Sequence, residues 1–109
     1  MTERIEAIGE RVDRIAAAVV AVPGVAGLHA GTFGEVGTYL PGRRVPGIRL
    51  DADHAEVHVS IVFGAPVLST AALIRQAVAA LTAGPVDVTV EDVLPAPMQS
   101  IQARSVERR

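Results

Sequence analysis

Cysteine and lysine are both missing from this chain. Without cysteine, disulfides, thiolate metal sites and a cysteine nucleophile are excluded. Without lysine there is no phosphate-loop lysine and no Schiff-base chemistry. All ten basic residues are arginine, which with the heavy use of Ala, Gly and Val reads as a high-GC bacterial coding sequence. An excess of positive charge is missing too. The net charge of −2 and pI near 5.9 are far from the basic balance of a general nucleic-acid binder. The longest apolar run, Ile15 to Gly24, falls short of the roughly 20 residues a membrane helix needs. The N-terminal Met-Thr-Glu-Arg-Ile-Glu is charged where a signal peptide would be apolar. The expectation is one soluble cytoplasmic domain of 109 residues, 50% apolar and so able to build a core.

What is present is organised around Ala55–Gly64. Val57, Val59, Ile61 and Phe63 alternate with Glu56, His58, Ser60 and Val62, which predicts a strand with one apolar and one polar face. Thr2 to Val22 has helical periodicity, with Thr2 as N-cap and Ile5, Ile8, Val12, Ile15, Ala16, Val19 and Val22 on one side. Gly9 costs about 1 kcal/mol against alanine in mid-helix. Beyond Ile15 the helix is apolar all round, as expected of a segment covered by the domain or by another subunit. Val25 to Ala30 predicts a short strand, with a bulge or close approach at Gly27. Gly31 to Gly47 reads as a long, glycine- and proline-punctuated loop of the functional or disordered kind. Ile48 to Leu50, the turn Asp51–His54 and the central strand form a predicted hairpin.

A second helix is expected over 69–83, with Ser69 as N-cap and Leu68 stapled onto Leu73. Val67, Ala71, Ile74, Val78 and Leu81 are its predicted core stripe, and Gly84-Pro85 stops it. Arg75 is its only charge, and its outer face of Ala72, Gln76, Ala79 and Ala80 reads as a contact surface. Val86 to Val93 is the last strand, placing Val86, Val88 and Val90 against Asp87, Thr89 and Glu91. The expected fold is a two-layer α+β domain over residues 1–94. It has a small mixed sheet of about four strands, the element order α-β-β-β-α-β, and two helices on one face. A flexible, mildly basic tail is expected over 95–109.

Few residues carry chemistry. His58 shares the polar strand face with Glu56 and Ser60, and Asp87 and Glu91 lie within reach on the last strand. A carboxylate–histidine metal site is chemically reasonable there, but a solvated sheet face is the simpler expectation. Ser60 is mid-strand, Ser69 is a cap, and no G-x-S-x-G occurs, so no serine hydrolase is indicated. Gly31-Thr-Phe-Gly34 matches the loop of KH RNA-binding domains in letters, but follows a strand rather than joining helices. Arg43-Arg44 suits a phosphate or a partner carboxylate. The expectation is no catalytic residue, no cofactor and no metal, with Phe33, Tyr39, Arg43, Arg44, Ala72, Arg75, Gln76 and Ala79 as candidate interaction residues.

Four segments in this order resemble the alkaline shock protein 23 family of bacterial envelope stress response proteins. They are Val22-Pro-Gly-Val-Ala-Gly-Leu28 after the first helix, Leu40-Pro-Gly-Arg-Arg-Val-Pro-Gly-Ile48, the strand closed by Val62-Phe63-Gly64, and Val86-Asp-Val-Thr-Val-Glu-Asp-Val93. The resemblance spans about residues 4–93. It implies a small cytoplasmic stress response protein without known enzymatic activity, of a kind that self-assembles and can be held at the membrane by a separate membrane-spanning partner. The long charged extensions of some members are lacking here. The alternative expectation is a small module that binds nucleic acid or an anionic ligand through the Arg43-Arg44 loop.

Overall fold

The computed structural model describes residues 2–95, with side chains described from residue 7. The Thr2 cap, the Ile5 side chain and all of the expected tail but Pro95 lie outside the described residues. At the centre runs β5 (Ala55–Val62), whose Ala55, Val57, Val59 and Ile61 are all essentially fully buried. Along one edge it pairs in parallel with β6 (Val86–Leu94). Along the other it pairs antiparallel with two short strands laid end to end. β1 (Val25–Leu28) covers Val59 to Ile61, and β4 (Ile48–Leu50) covers Ala55 to Val57. A bulge at Ala26 shifts the β1 register, in line with the irregularity expected around Gly27.

His58 sits where those two edge strands meet. The His29 N–H donates to the His58 carbonyl at 2.9 Å, and the His58 N–H donates to the Gly47 carbonyl at 2.8 Å. The chain therefore leaves the sheet edge after His29 and rejoins it at Gly47. The segment between is not the open loop expected from the sequence. Residues 37–46 form a second antiparallel hairpin, β2 (Gly37–Leu40) and β3 (Arg43–Pro46). Pro41-Gly42 turns it, with Gly42 at φ 76°, as a proline-then-glycine turn demands. Leu40 and Val45 from this hairpin pack against the core.

Two helices cover the inner face, and the fold is the mixed two-layer α+β arrangement expected. α1 (Thr2–Val20) contributes Val12, Ile15 and Val19, all at 0% exposure. Ile8, expected in that stripe, lies at the margin at 36% exposure. α2 (Val67–Ala79) contributes Thr70, Ile74 and Val78, an i, i+4, i+8 stripe. It starts two residues before the expected Ser69 cap. Pro66 holds extended dihedrals at the N-cap position with no side-chain hydrogen bond, and its carbonyl accepts from Thr70 N–H at 3.0 Å. Ser69 therefore falls inside the first turn, and the Leu68–Leu73 staple does not form: Leu68 is 85% and Leu73 45% exposed. Val67, placed in the predicted stripe, is 46% exposed. The helix also ends early, at Ala79, before Gly84 with its φ of 82°.

Candidate functional site

The polar face of β5 is not solvated as expected: His58 is 8% and Ser60 5% exposed. The reason is a cluster spanning β5 and β6. His58 Nε2 lies 2.8 Å from a Glu56 carboxylate oxygen, and His58 Nδ1 lies 2.6 Å from a Glu91 carboxylate oxygen. A ring held by carboxylates at both nitrogens, in a strand flanked on both edges, has little surface left. Arg49 approaches the far side of Glu56 at 3.4 Å. Nearby, His54 Nε2 lies 2.7 Å from Asp87.

Glu91 reaches His58 because β6 is bulged there. Val59 pairs with Val90, but Ser60 pairs with Asp92, so Glu91 is an extra residue. The sequence requires this. Val90 and Val93 are an odd number apart, and a period of two places both in the inner-face register only if one residue between them is unpaired.

Two carboxylates facing one imidazole favour the doubly protonated ring, since only imidazolium donates from both nitrogens. Burial by itself lowers the His58 pKa, but the hydrogen bonds to Glu56 and Glu91 outweigh it and hold the pKa above its ordinary value. The hydrogen bond from His58 holds Glu56 below the usual carboxylate range, against burial and helped by the charges of His58 and Arg49. The His54 pKa is raised as well, chiefly by its hydrogen bond to Asp87. Chemically the cluster is closed. Neither nitrogen of His58 is available to activate the Ser60 hydroxyl, and among the described residues no group of three acidic or histidine side chains is arranged to hold a metal.

The arginine pair is likewise engaged internally. Arg43 makes a two-pronged ion pair with Asp13 of α1, both contacts at 2.9 Å. Arg44 donates from Nη2 to the carbonyls of Gly34 and Val36, and its guanidinium lies 5.2 Å from the centre of the Tyr39 ring. Arg49 donates to the Glu35 carbonyl at 3.0 Å. Val36 N–H closes the 30–36 loop on the Ala30 carbonyl at 2.8 Å. The arginines thus tie down a compact loop whose tip displays Phe33, 88% exposed. Tyr39 is 72% exposed on the hairpin beside it. Phe33, Tyr39, Arg43 and Arg44 therefore fall on one excursion from the sheet edge, as their closeness in sequence suggested.

On α2, Arg75, Gln76 and Ala79 are exposed and Ala72 is half-buried. Arg75 turns back toward the Val86 carbonyl, 3.4 Å from its Nε. The sequence reading missed Phe63. It is not an inward-facing strand residue but lies past the end of β5, 78% exposed. Leu68 was missed with it. The signal available in the sequence was the absence of any charged side chain from Ser60 to Ile74.

No helix among the described residues is long and apolar enough to cross a membrane. In comparison with known proteins, no family model, no curated protein and no solved structure matches the chain.

Proposed function

We propose that this protein is a non-catalytic interaction module that works by self-association and by docking a partner. The observation that supports this most is the placement of its aromatic residues. All three, Phe33, Tyr39 and Phe63, are at least 72% exposed, while Val, Ile, Leu and Ala build the core. Aromatic side chains carry large apolar area and anchor interfaces, so a fold that turns every one of them outward is suited to contact. The histidine cluster, with both nitrogens of His58 engaged, supports a structural rather than catalytic use.

The sequence resemblance supplies the setting: an envelope stress response scaffold, cytoplasmic, and peripheral at the inner face of the membrane through a separate anchoring partner. Light scattering of the purified chain together with co-purification from cells tests the reading. Self-association, or capture of a specific partner, is the expected result. A monomer at high concentration that captures nothing would overturn it. The competing reading, an anionic-ligand or nucleic-acid binder, has less behind it, since Arg43 and Arg44 are both held by acceptors within the chain.

A further inference from the structure

Four charges meet on the outer face of the sheet and cancel. His58 and Arg49 are set against Glu56 and Glu91, a balance that holds only while the His58 ring carries its second proton. The ring side chain is 10% exposed, and the side chains of Glu91 and Glu56 are 17% and 27% exposed. The other titratable groups on this face are committed elsewhere or lie in water. Asp87 is taken by His54 at 2.7 Å, and Asp92, opposite Ser60, is exposed. His29, just past β1, accepts from Gly31 N–H at its own Nδ1. When the His58 ring loses a proton, one of its nitrogens becomes an acceptor aimed at a carboxylate oxygen, and that carboxylate loses its donor.

The two carboxylates are not equivalent. Glu56 keeps Arg49 at 3.4 Å on its other oxygen, and its backbone stays in regular register between Arg49 of β4 and Asp87 of β6. Glu91 has His58 as its one side-chain partner among the described residues, and it is the unpaired residue of the β6 bulge. A charge stranded there is costly, and water is close, because β6 pairs with β5 alone among the described strands. We infer that His58 and Glu91 form a proton-operated latch on β6. The doubly protonated ring holds the bulge closed; its deprotonation leaves the remaining proton on Nε2 with Glu56 and releases Glu91 to solvent.

What the latch secures is short. Beyond the bulge, Asp92, Val93 and Leu94 pair with Ser60, Ile61 and Val62, and the Leu94 carbonyl accepts from Phe63 N–H at 2.6 Å. Before it, Val86 to Val90 pair with Ala55 to Val59 in unbroken register. Release of Glu91 therefore loosens residues 91–94 and leaves 86–90 in place, a local opening and not unfolding. The His58 pKa lies above its ordinary 6.5, so the latch is closed below that pH and opens as pH rises through the folded value.

NMR of the intact chain tests this. Above its midpoint the His58 ring should carry its proton on Nε2, which the nitrogen shifts of the ring report. Pro85 and Leu94 both turn their carbonyls to β5, which puts the amides of Asp87, Thr89, Asp92 and Leu94 on that side of the strand. Over the same pH range the protection of the Asp92 and Leu94 amides, corrected for the intrinsic rise of exchange with pH, should fall about 10-fold or more. The Asp87 and Thr89 amides should hold. Glu91→Gln should abolish the step, because its amide can donate to a deprotonated Nδ1 and strands no charge. Glu56→Gln should move the neutral ring's proton to Nδ1, where Glu91 accepts it, and the latch should then stay closed.

A parent ring that keeps its proton on Nδ1 would overturn the inference, since Glu56 would then be the carboxylate released. So would an even loss of protection along β6, no loss at all, or a step that persists in either variant. The ring shifts and amide profile of the parent need no substitution, so they decide the matter even if a variant fails to fold. None of these outcomes depends on whether the chain associates, so the interaction reading is tested separately.

Discussion

His58 and Glu91, 33 residues apart in sequence, are joined at 2.6 Å across the parallel pair of β5 and β6. The folded pKa of His58 lies above its ordinary 6.5. Its contribution to stability is therefore complete below that value and is lost as pH rises through the folded pKa. Glu56 lies below its ordinary 4.5, so its contribution is complete above that value and is lost as pH falls through its folded pKa. Urea unfolding at a series of pH values should give a maximum between 4.5 and 6.5 and an alkaline decline. Glu91→Gln should lower the maximum by about 1–2 kcal/mol and start the decline at lower pH. A profile that stays flat above pH 6.5, the same in both proteins, would show that the pair does not hold a proton.

Two apolar residues of α2 sit in opposite surroundings. Ile74 is fully buried and Leu68 is 85% exposed. Ile74→Ala should cost about 2–5 kcal/mol through lost burial and a residual cavity. Leu68→Ala should leave the unfolding midpoint within about 0.5 kcal/mol of the parent. Denaturant titration of both variants checks this. Equal losses would mean that Leu68 staples the helix start as its sequence position suggests.

Legibility followed the range of the forces involved. Ala55–Val62, the hairpin onto Ile48–Leu50 and the buried pair Ile74 and Val78 were readable because periodicity alone fixes which face meets the core. The start of α2 was misread because Ser69 is a strong local capping signal, while Pro66 begins the helix simply by having a fixed φ and no N–H to satisfy. The hairpin over residues 37–46 was hidden because Gly37-Thr-Tyr-Leu40 and Arg43-Arg-Val-Pro46 are too short for alternation to stand out. Arg43-Arg44 looked like a ligand clamp because a sequence shows cations and not their acceptors. Asp13 is 30 residues away, and the other acceptors are backbone carbonyls. The burial of His58 depends on Glu91 and thus on a bulge, which is visible only once Val90 and Val93 are asked to share a face.

Glycines divide sharply in what an added methyl would meet. Gly47 has φ 84°, and a Cβ there would lie 2.9 Å from the His58 carbonyl and 3.0 Å from His29 N. Gly47→Ala should therefore cost about 2 kcal/mol or more, from left-handed strain plus displacement of the junction between β1 and β4. Gly9, in mid-helix, leaves room at 3.5 Å from Arg43 and 3.6 Å from Leu40. Gly9→Ala should stabilise by about 0.5–1 kcal/mol through helix propensity. Thermal unfolding of both variants decides it, and a gain at Gly47 would contradict the edge junction described.

Arg44 and Arg43 should also separate. Arg44→Lys keeps the charge but loses the planar fork that reaches the Gly34 and Val36 carbonyls, with an expected cost of about 1–2 kcal/mol. Amide exchange should speed up in residues 31–36, where the loop is tied down. Arg43→Ala removes an exposed ion pair and should leave the unfolding midpoint unchanged. Titrating parent and Arg43→Ala/Arg44→Ala with RNA should give equally weak binding. A salt-dependent affinity that vanishes in the double variant would revive the anionic-ligand reading.

The bulge itself can be removed. Deleting Glu91 turns Val-Thr-Val-Glu-Asp-Val, as it runs from Val88 to Val93, into a strict alternation, and Asp92 keeps its place opposite Ser60. Every other pairing of β6 survives in that register, so the fold should be retained, as a parent-like circular dichroism spectrum would show. What is lost is one of the two carboxylates on His58. The ring then keeps Glu56 at Nε2 and has no acceptor at Nδ1, at a cost of about 1–3 kcal/mol for a buried donor left unpaired. Titration of the His58 ring by NMR should show its pKa falling toward the ordinary 6.5. If the deletion left that titration unchanged, Glu91 would have no part in holding the proton. If it destroyed the fold, the bulge would be needed for pairing as well as for aiming Glu91.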